Sequence, residues 1–231
     1  MSELVLLAEG RMELLGMIRG SSNSALLVEV CLEDRSAWAV YKPREGERPL
    51  VDFAPGLHRR ERAAYLLSEI LGWGIVPPTV VRDDGPFGVG SLQLFVEHDP
   101  LAHYFTLYDD VPGSHDALRR IALFDVVANN ADRKGGHVLR GTDGRVWGID
   151  HGLCFAAGYK LRTVVWDFGG DPVPGDLLAA LAPLADSVPD ELADLLTAPE
   201  ASALQQRVCR LLERPVLPVD VTGRRVPWPL L

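Results

Sequence analysis

Apolar and polar positions change their period along the chain, and the change separates a strand-rich first part from a helix-rich second part. Met12–Ile18 and Ala25–Glu33 are apolar runs separated by the polar stretch Arg19-Gly20-Ser21-Ser22-Asn23-Ser24. Gly, Ser and Asn favour turns, so the pattern predicts a β-hairpin with a polar tip. Ala37–Lys42 is a third strand, rich in β-formers and stopped by Pro43. From Leu57 to Leu71 the period becomes helical: Leu57, Ala64, Leu67 and Leu71 recur at helical spacing, and Gly72 and Gly74 close the segment. Pro77-Pro78 leads a strand over Thr79–Arg82, Asp83-Asp84-Gly85 turns the chain, and Gly90–Val96 is a further strand.

Beyond His98-Asp99-Pro100 the pattern is mostly helical. An amphipathic helix is expected over Asp116–Asn129, capped by Ser114 and carrying Leu118, Ile121, Ala122, Phe124, Asp125 and Val126. The polar loop Asn130–His137 follows. Two short strands, Val138–Arg140 and Arg145–Ile149, are joined by the turn Thr142-Asp143-Gly144. Three more helices are expected near 175–185, 190–197 and 199–213. The fold class is α+β: a small β-rich lobe over 1–98 with one key helix at 57–71, and a helical lobe over 99–231. A crevice lies between them.

At 231 residues with 47% hydrophobic and 24% charged positions, the chain can bury a sizeable core, which excludes disorder as its main state. Leu71–Val81 and Leu177–Ala185 fall short of the roughly 18 uncharged residues a membrane span needs. Met1-Ser2-Glu3 lacks the basic flank of a secretory signal. Lys and Arg number 23 against 32 Asp and Glu, a net charge of −9, which argues against nucleic acid and against stable association with an anionic membrane. Cys31, Cys154 and Cys209 form no CxxC pair, so a reducing, cytoplasmic location is expected.

Four features, in order, describe a nucleotide site. Small residues at Gly20, Ser21, Ser22, Asn23 and Ser24 let backbone N–H groups approach a polyphosphate, although an ordinary hairpin turn has the same composition. Lys42 ends an otherwise apolar strand and needs a partner: the phosphates of ATP, Glu61 on the next helix, or water at the surface. In Asn129-Asn130-Ala131-Asp132-Arg133-Lys134-Gly135-Gly136-His137, Asp132 is placed to orient a hydroxyl or accept its proton, and His137 to ligate a metal; a capped surface loop reads the same way. In Ile149-Asp150-His151-Gly152 a carboxylate stands at a strand end, as a Mg²⁺ ligand does.

Taken together, these residues resemble the phosphatidylinositol 3- and 4-kinase-like branch of the protein-kinase fold, nearest to the type II phosphatidylinositol 4-kinases. They are also similar to small actinobacterial members of unassigned function. The resemblance is carried by Gly20–Ser24, Val40-Tyr41-Lys42-Pro43, Arg60-Glu61-Arg62, Val76-Pro77-Pro78-Thr79, Asn130-Ala131-Asp132-Arg133 and Ile149-Asp150-His151-Gly152, and covers about residues 11–155. It implies that Lys42 holds the α/β-phosphates, Glu61 pairs with Lys42, Asp132 is the catalytic acid and Asp150 binds the metal. Adenine would lie between Val40 above and Leu139 with Ile149 below, with its edge on the backbone of Phe95, Val96 and Glu97. Arg133, with Lys42 and the metal, would neutralise charge.

The chain departs from the family at His137, where the family has a metal-binding Asn. Imidazole suits Mn²⁺ better than Mg²⁺. Asp167-Phe168-Gly169 spells the protein-kinase metal motif but lies 35 positions past Asp132, and is expected to be a loop of the helical lobe. The expected function is ATP-dependent transfer of a γ-phosphoryl group to a hydroxyl of a small molecule or protein, with ATP and Mg²⁺ or Mn²⁺. An ATP-binding pseudokinase with a regulatory role and an AMP transferase are the alternatives.

Overall fold

The computed structural model describes residues 2–18 and 24–231. The hairpin tip from Gly20 to Asn23 lies outside the described residues. The first part opens with a short helix, α1 (Glu3–Glu9), which the period reading does not predict, because its run Leu4–Leu7 is uninterrupted and shows no period. Its signal is the cap: Ser2 Oγ accepts the Val5 N–H at 3.3 Å. At its other end Arg82 donates to the Leu7 and Gly10 carbonyls at 2.8 and 3.0 Å, which satisfies acceptors the helix itself leaves open.

Five antiparallel strands follow: β1 (Arg11–Met17), β2 (Leu26–Leu32), β3 (Arg35–Pro43), β4 (Thr79–Gly85) and β5 (Gly88–Leu94), in the order β1-β2-β3-β5-β4. The two-residue period decides what each face does. Leu26, Val28 and Val30 of β2 and Ala39 and Tyr41 of β3 point to one side, where they join Leu6 and Leu7 of α1 in a small core. Val40 and Lys42, one position out of phase, face the other side. Gly90 lies opposite Pro43 and passes so close to the neighbouring strand that a Cβ there would stand 2.5 Å from the Lys42 carbonyl oxygen.

Helix α2 (Leu57–Ile70) packs against β4 and β5, yet its Ala63, Ala64, Leu66 and Leu67 belong to the same core cluster as the C-terminal helices. That larger core is built around α4 (His115–Ala128), with α3 (Tyr104–Asp110), α5 (Gly175–Asp186), α6 (Asp190–Ala193) and α7 (Ala198–Glu213). Arg60 pins α2 to this region, donating to the Cys154 carbonyl at 2.7 Å and pairing with Glu200 of α7 at 2.5 Å. Ser114 does occupy the position before α4, but its hydroxyl donates to the Leu107 and Val111 carbonyls, each at 2.8 Å, rather than capping the helix. The two short strands β6 (Val138–Arg140) and β7 (Val146–Gly148) form a separate hairpin beneath the cleft.

Candidate active site

The crevice between sheet and helices is a cavity of about 320 Å³. Val40 and Lys42 enter it from β3, Phe95 and Val96 from the connector after β5, Leu139 from β6, and Ile149, Asp150 and His137 from the loops around the β6–β7 hairpin. Apolar side chains above and below leave a slot suited to a flat ring, and the Val96 N–H at its edge has no hydrogen-bond partner among the described residues. The lining also includes Ile18 and Ala25, the residues flanking the hairpin tip, and Gln93, whose Nε2 donates to Thr79 Oγ1 at 2.8 Å.

Lys42 is the centre of the charged end. Its Nζ lies 2.6 Å from Glu61 Oε1 and 2.9 Å from Asp150 Oδ1. Burial works against its charge, but Asp150 and Glu61 outweigh it and raise the lysine's pKa. The second Glu61 oxygen accepts the His151 N–H at 2.9 Å, so one carboxylate fixes both the lysine and the strand end that carries Asp150. Burial opposes the charge of Asp150 as well, and Lys42 overcomes this, holding the carboxyl well below the usual range. Asp150 adopts φ 59°, a left-handed conformation that costs a non-glycine residue energy and is held here by surrounding bonds.

His137 Nε2 stands 3.3 Å from Asp150 Oδ2, on the side away from Lys42's contact. Burial holds the imidazole's pKa down to about 4, against the pull of Asp150, so the ring is neutral at pH 7. A neutral imidazole ligates through its bare nitrogen; Nδ1 accepts the Lys134 N–H at 3.4 Å, so ligation through Nε2 takes the other tautomer and gives up that long bond. Two donors at the ~2.1 Å typical of Mg²⁺ and neighbouring in an octahedron stand about 3 Å apart, so this pair fits one divalent cation. Among the described residues no third His, Cys, Asp or Glu joins them. That donor set suits a metal completed by substrate phosphates and water.

The loop bearing Asp132 is built from inside. Asn129 ends α4 in the left-handed region at φ 52°, and its side chain donates to the Ala156 and Gly158 carbonyls at 2.9 and 2.7 Å. Asn130 accepts the Asp132 N–H at 3.0 Å and donates to Asp125 at 2.9 Å. Asp132 itself is partly buried, which raises its pKa against the opposing pull of Lys134, whose Nζ is 3.3 Å from Asp132 Oδ2. Lys134 also lines the cleft, and the sequence reading gives it no role. Its signal is its position, two residues past the candidate acid.

Two expectations are corrected by these contacts. Arg133 does not neutralise charge in the cleft. It is fully buried, with Nε and Nη2 on Asp125, Nη1 on the His137 and Ile149 carbonyls, and Nη2 also donating to His151 Nε2 at 2.7 Å. Every donor is occupied, so Arg133 positions the loop and the strand end that carries Asp150. Glu97 lies outside the cleft, lining a neighbouring cavity of about 490 Å³, and its carbonyl accepts the Thr142 N–H at 3.0 Å. Ser24, which adjoins the undescribed hairpin tip, is exposed. The Asp167-Phe168-Gly169 run is structural: Phe168 is in the core and Asp167 accepts the Tyr104 hydroxyl. Asp125, the positioning carboxylate, was legible as an acid among the apolar positions of α4.

The arrangement of sheet, connecting helix, lysine–glutamate pair and loop-borne acids is that of a protein-kinase-like fold. Solved structures agree with that class. The Golgi casein kinase with Mn/ADP bound superposes at a TM-score of 0.56 over 97% of this chain and 77% of that one, at 14% identity. Hydra Fam20 with sugar superposes at 0.53 over 90% and 86%, also at 14% identity. No family model matches the chain. Protein Rv2133c of Mycobacterium tuberculosis is 44% identical across 98% of this chain and 95% of its own length, and the chain belongs to that protein's family. Phosphatidylinositol 4-kinase gamma 4 of rice is 30% identical over 64% of this chain. Phosphatidylinositol 4-kinase gamma 2 of Arabidopsis thaliana is 30% identical over 58%. The matches span only 29% and 30% of those plant proteins.

Proposed function

We propose that the chain is an ATP-dependent phosphotransferase acting on a hydroxyl of a small molecule or a protein. The observation that carries this reading is Lys42 held between Glu61 and Asp150 at 2.6 and 2.9 Å on the wall of a ring-sized slot. A lysine so placed keeps its charge and has an N–H left to present to the α/β-phosphates. Adenine stacks between Val40 and Leu139 with Ile149, its edge on the Val96 N–H. Residues 1–98 and 99–231 act as the two lobes of one domain.

Asp132 orients the acceptor hydroxyl. As the acceptor oxygen bonds to Pγ and the Pγ–O bond to the β-phosphate breaks, the hydroxyl proton passes to the Asp132 carboxylate and ADP leaves. Lys134, beside Asp132, offsets charge on the moving phosphoryl group, a role the sequence reading assigns to Arg133. Asp150 and His137 would hold Mn²⁺ or Mg²⁺, which supplies charge neutralisation across the phosphate oxygens when bound. No helix among the described residues is long and apolar enough to cross a membrane.

The test is product analysis of ATP turnover with Mn²⁺ and with Mg²⁺ in the wild type and Asp132→Asn. The variant should keep ATP binding while ADP formation falls by about 10²–10⁴-fold. Pyrophosphate in place of ADP would identify AMP transfer, and binding without turnover under either metal would identify a pseudokinase. ADP formation undiminished in Asp132→Asn would remove Asp132 from the reaction.

A further inference from the structure

A second cavity, of about 400 Å³, lies behind the cleft between the loop after α2, the start of α4 and the β6–β7 hairpin. Its charged lining is Arg120, Arg140 and Arg145, with no carboxylate among the lining residues, in a chain whose net charge is −9. The side chains of Arg120 and Arg140 make no ion pair or hydrogen bond among the described residues. Arg120 Nε is buried without a partner. Arg145 is preordered instead: it donates to the Gly74 carbonyl at 3.0 Å and stacks 4.0 Å from the centre of the Trp147 ring.

Trp73, also in the lining, is 7% exposed, and its indole N–H has no acceptor. A buried donor left unsatisfied is unfavourable, so a native fold that keeps two beside one cavity leaves room for an acceptor to be brought in. The start of α4, a helix of 14 residues, borders the same space through Ala117, with Gly113 and Ser114 of the turn just before it, and adds the favourable end of its dipole. Guanidinium groups match phosphate oxygens in pairs, and three of them exceed what one carboxylate would neutralise.

We propose that this cavity is a binding site, separate from the nucleotide cleft, for a phosphate monoester of about sugar size. The phosphate lies among Arg120, Arg140 and the Trp73 N–H, and the remaining volume takes the organic part. The site borders the strand leading to Asp150: the Gly148 N–H donates to the Ile75 carbonyl at 2.7 Å, and β7 runs from Val146 in the cavity wall toward Ile149 and Asp150.

The experiment is calorimetric titration of metal-free protein with inorganic phosphate and with glucose 6-phosphate, alongside vesicles carrying phosphatidylinositol 4-phosphate. The wild type should bind the soluble monoester more tightly than phosphate alone. Arg120→Ala with Arg140→Ala should lose about tenfold or more in affinity, and Trp73→Phe, which keeps a ring but removes the donor, about threefold to tenfold. Should the double variant be unstable, Arg140→Ala at its exposed position must show the same direction. Lys42→Met, a change in the cleft, should leave this binding intact. Binding that survives the arginine changes, that disappears with Lys42→Met, or that occurs only on vesicles would overturn the proposal, as would no binding of either soluble probe.

Discussion

Lys42 and Arg133, one in each part of the molecule, are both cations held by carboxylates, and their surroundings differ in one respect. Lys42, on the sheet side, has two carboxylate partners and a side chain 21% exposed toward the cleft. Arg133, on the helical side, has no exposure and no free donor. Both are charged groups on residues that the motifs single out, and both are held by acids. The comparison teaches that a ligand-binding cation is one whose partners leave it a donor and an open side. A cation whose partners use every donor is scaffolding, however close in sequence it lies to the chemistry.

Arg133→Met is the strongest test of that distinction. It leaves Asp125 buried and unpaired, and breaking such a pair costs about 3–5 kcal/mol, a large part of an ordinary domain's stability. Urea unfolding should show the loss directly. A near-normal midpoint would mean the network is not structural. Lys42→Met should instead keep a folded protein and lower kcat/KM for ATP by about 10²-fold. If both variants lost stability equally with no separate effect on nucleotide, the two cations would be alike and the distinction would fail.

Smaller effects sharpen the picture of the cleft. His137→Asn should move metal preference from Mn²⁺ toward Mg²⁺ by about tenfold, read as the ratio of ATP affinities with the two ions. An unchanged ratio would remove His137 from the metal shell. The smallest effect concerns Asp132, whose pKa burial raises above the ordinary 3.8. A raised carboxyl pKa means ionisation costs the folded state more than the unfolded one, so stability from this site is full below the unfolded pKa and falls as pH rises through the folded one. Asp132→Asn should therefore raise Tm at pH 7 by about 1–3 °C, with the gain vanishing near pH 3. A lower Tm at pH 7 would show that the Lys134 pair outweighs burial.

Those expectations rest on features that were legible to different degrees. Lys42 was legible as a lysine ending an otherwise apolar strand, and the two-residue period of β3 puts it on the same face as Val40 and opposite Tyr41. Glu61 on the following helix was one of the partners the sequence offered for that charge, and the structure brings it to Lys42. Glu97 was misplaced because a connector outside regular structure has no period, and its course depends on the hairpin that meets it at Thr142. Helix α1 was missed because a continuous apolar run carries no phase, and what anchors the helix is Arg82, far along the chain.

By itself the sequence determined the strand and helix periods, the turn positions and the residue types able to handle phosphate and metal, since these follow from local geometry and side-chain chemistry. Only the tertiary structure decided which charged groups face the cleft. Arg133 is sealed by Asp125 from α4 and by His151 next to Asp150, while Lys134 reaches the cleft beside Asp132. It also gathered Trp73, Arg120 and Arg140 from three separate segments around one cavity. Exposure and free hydrogen-bonding capacity are properties of what surrounds a group, and those surroundings come from residues far apart along the chain.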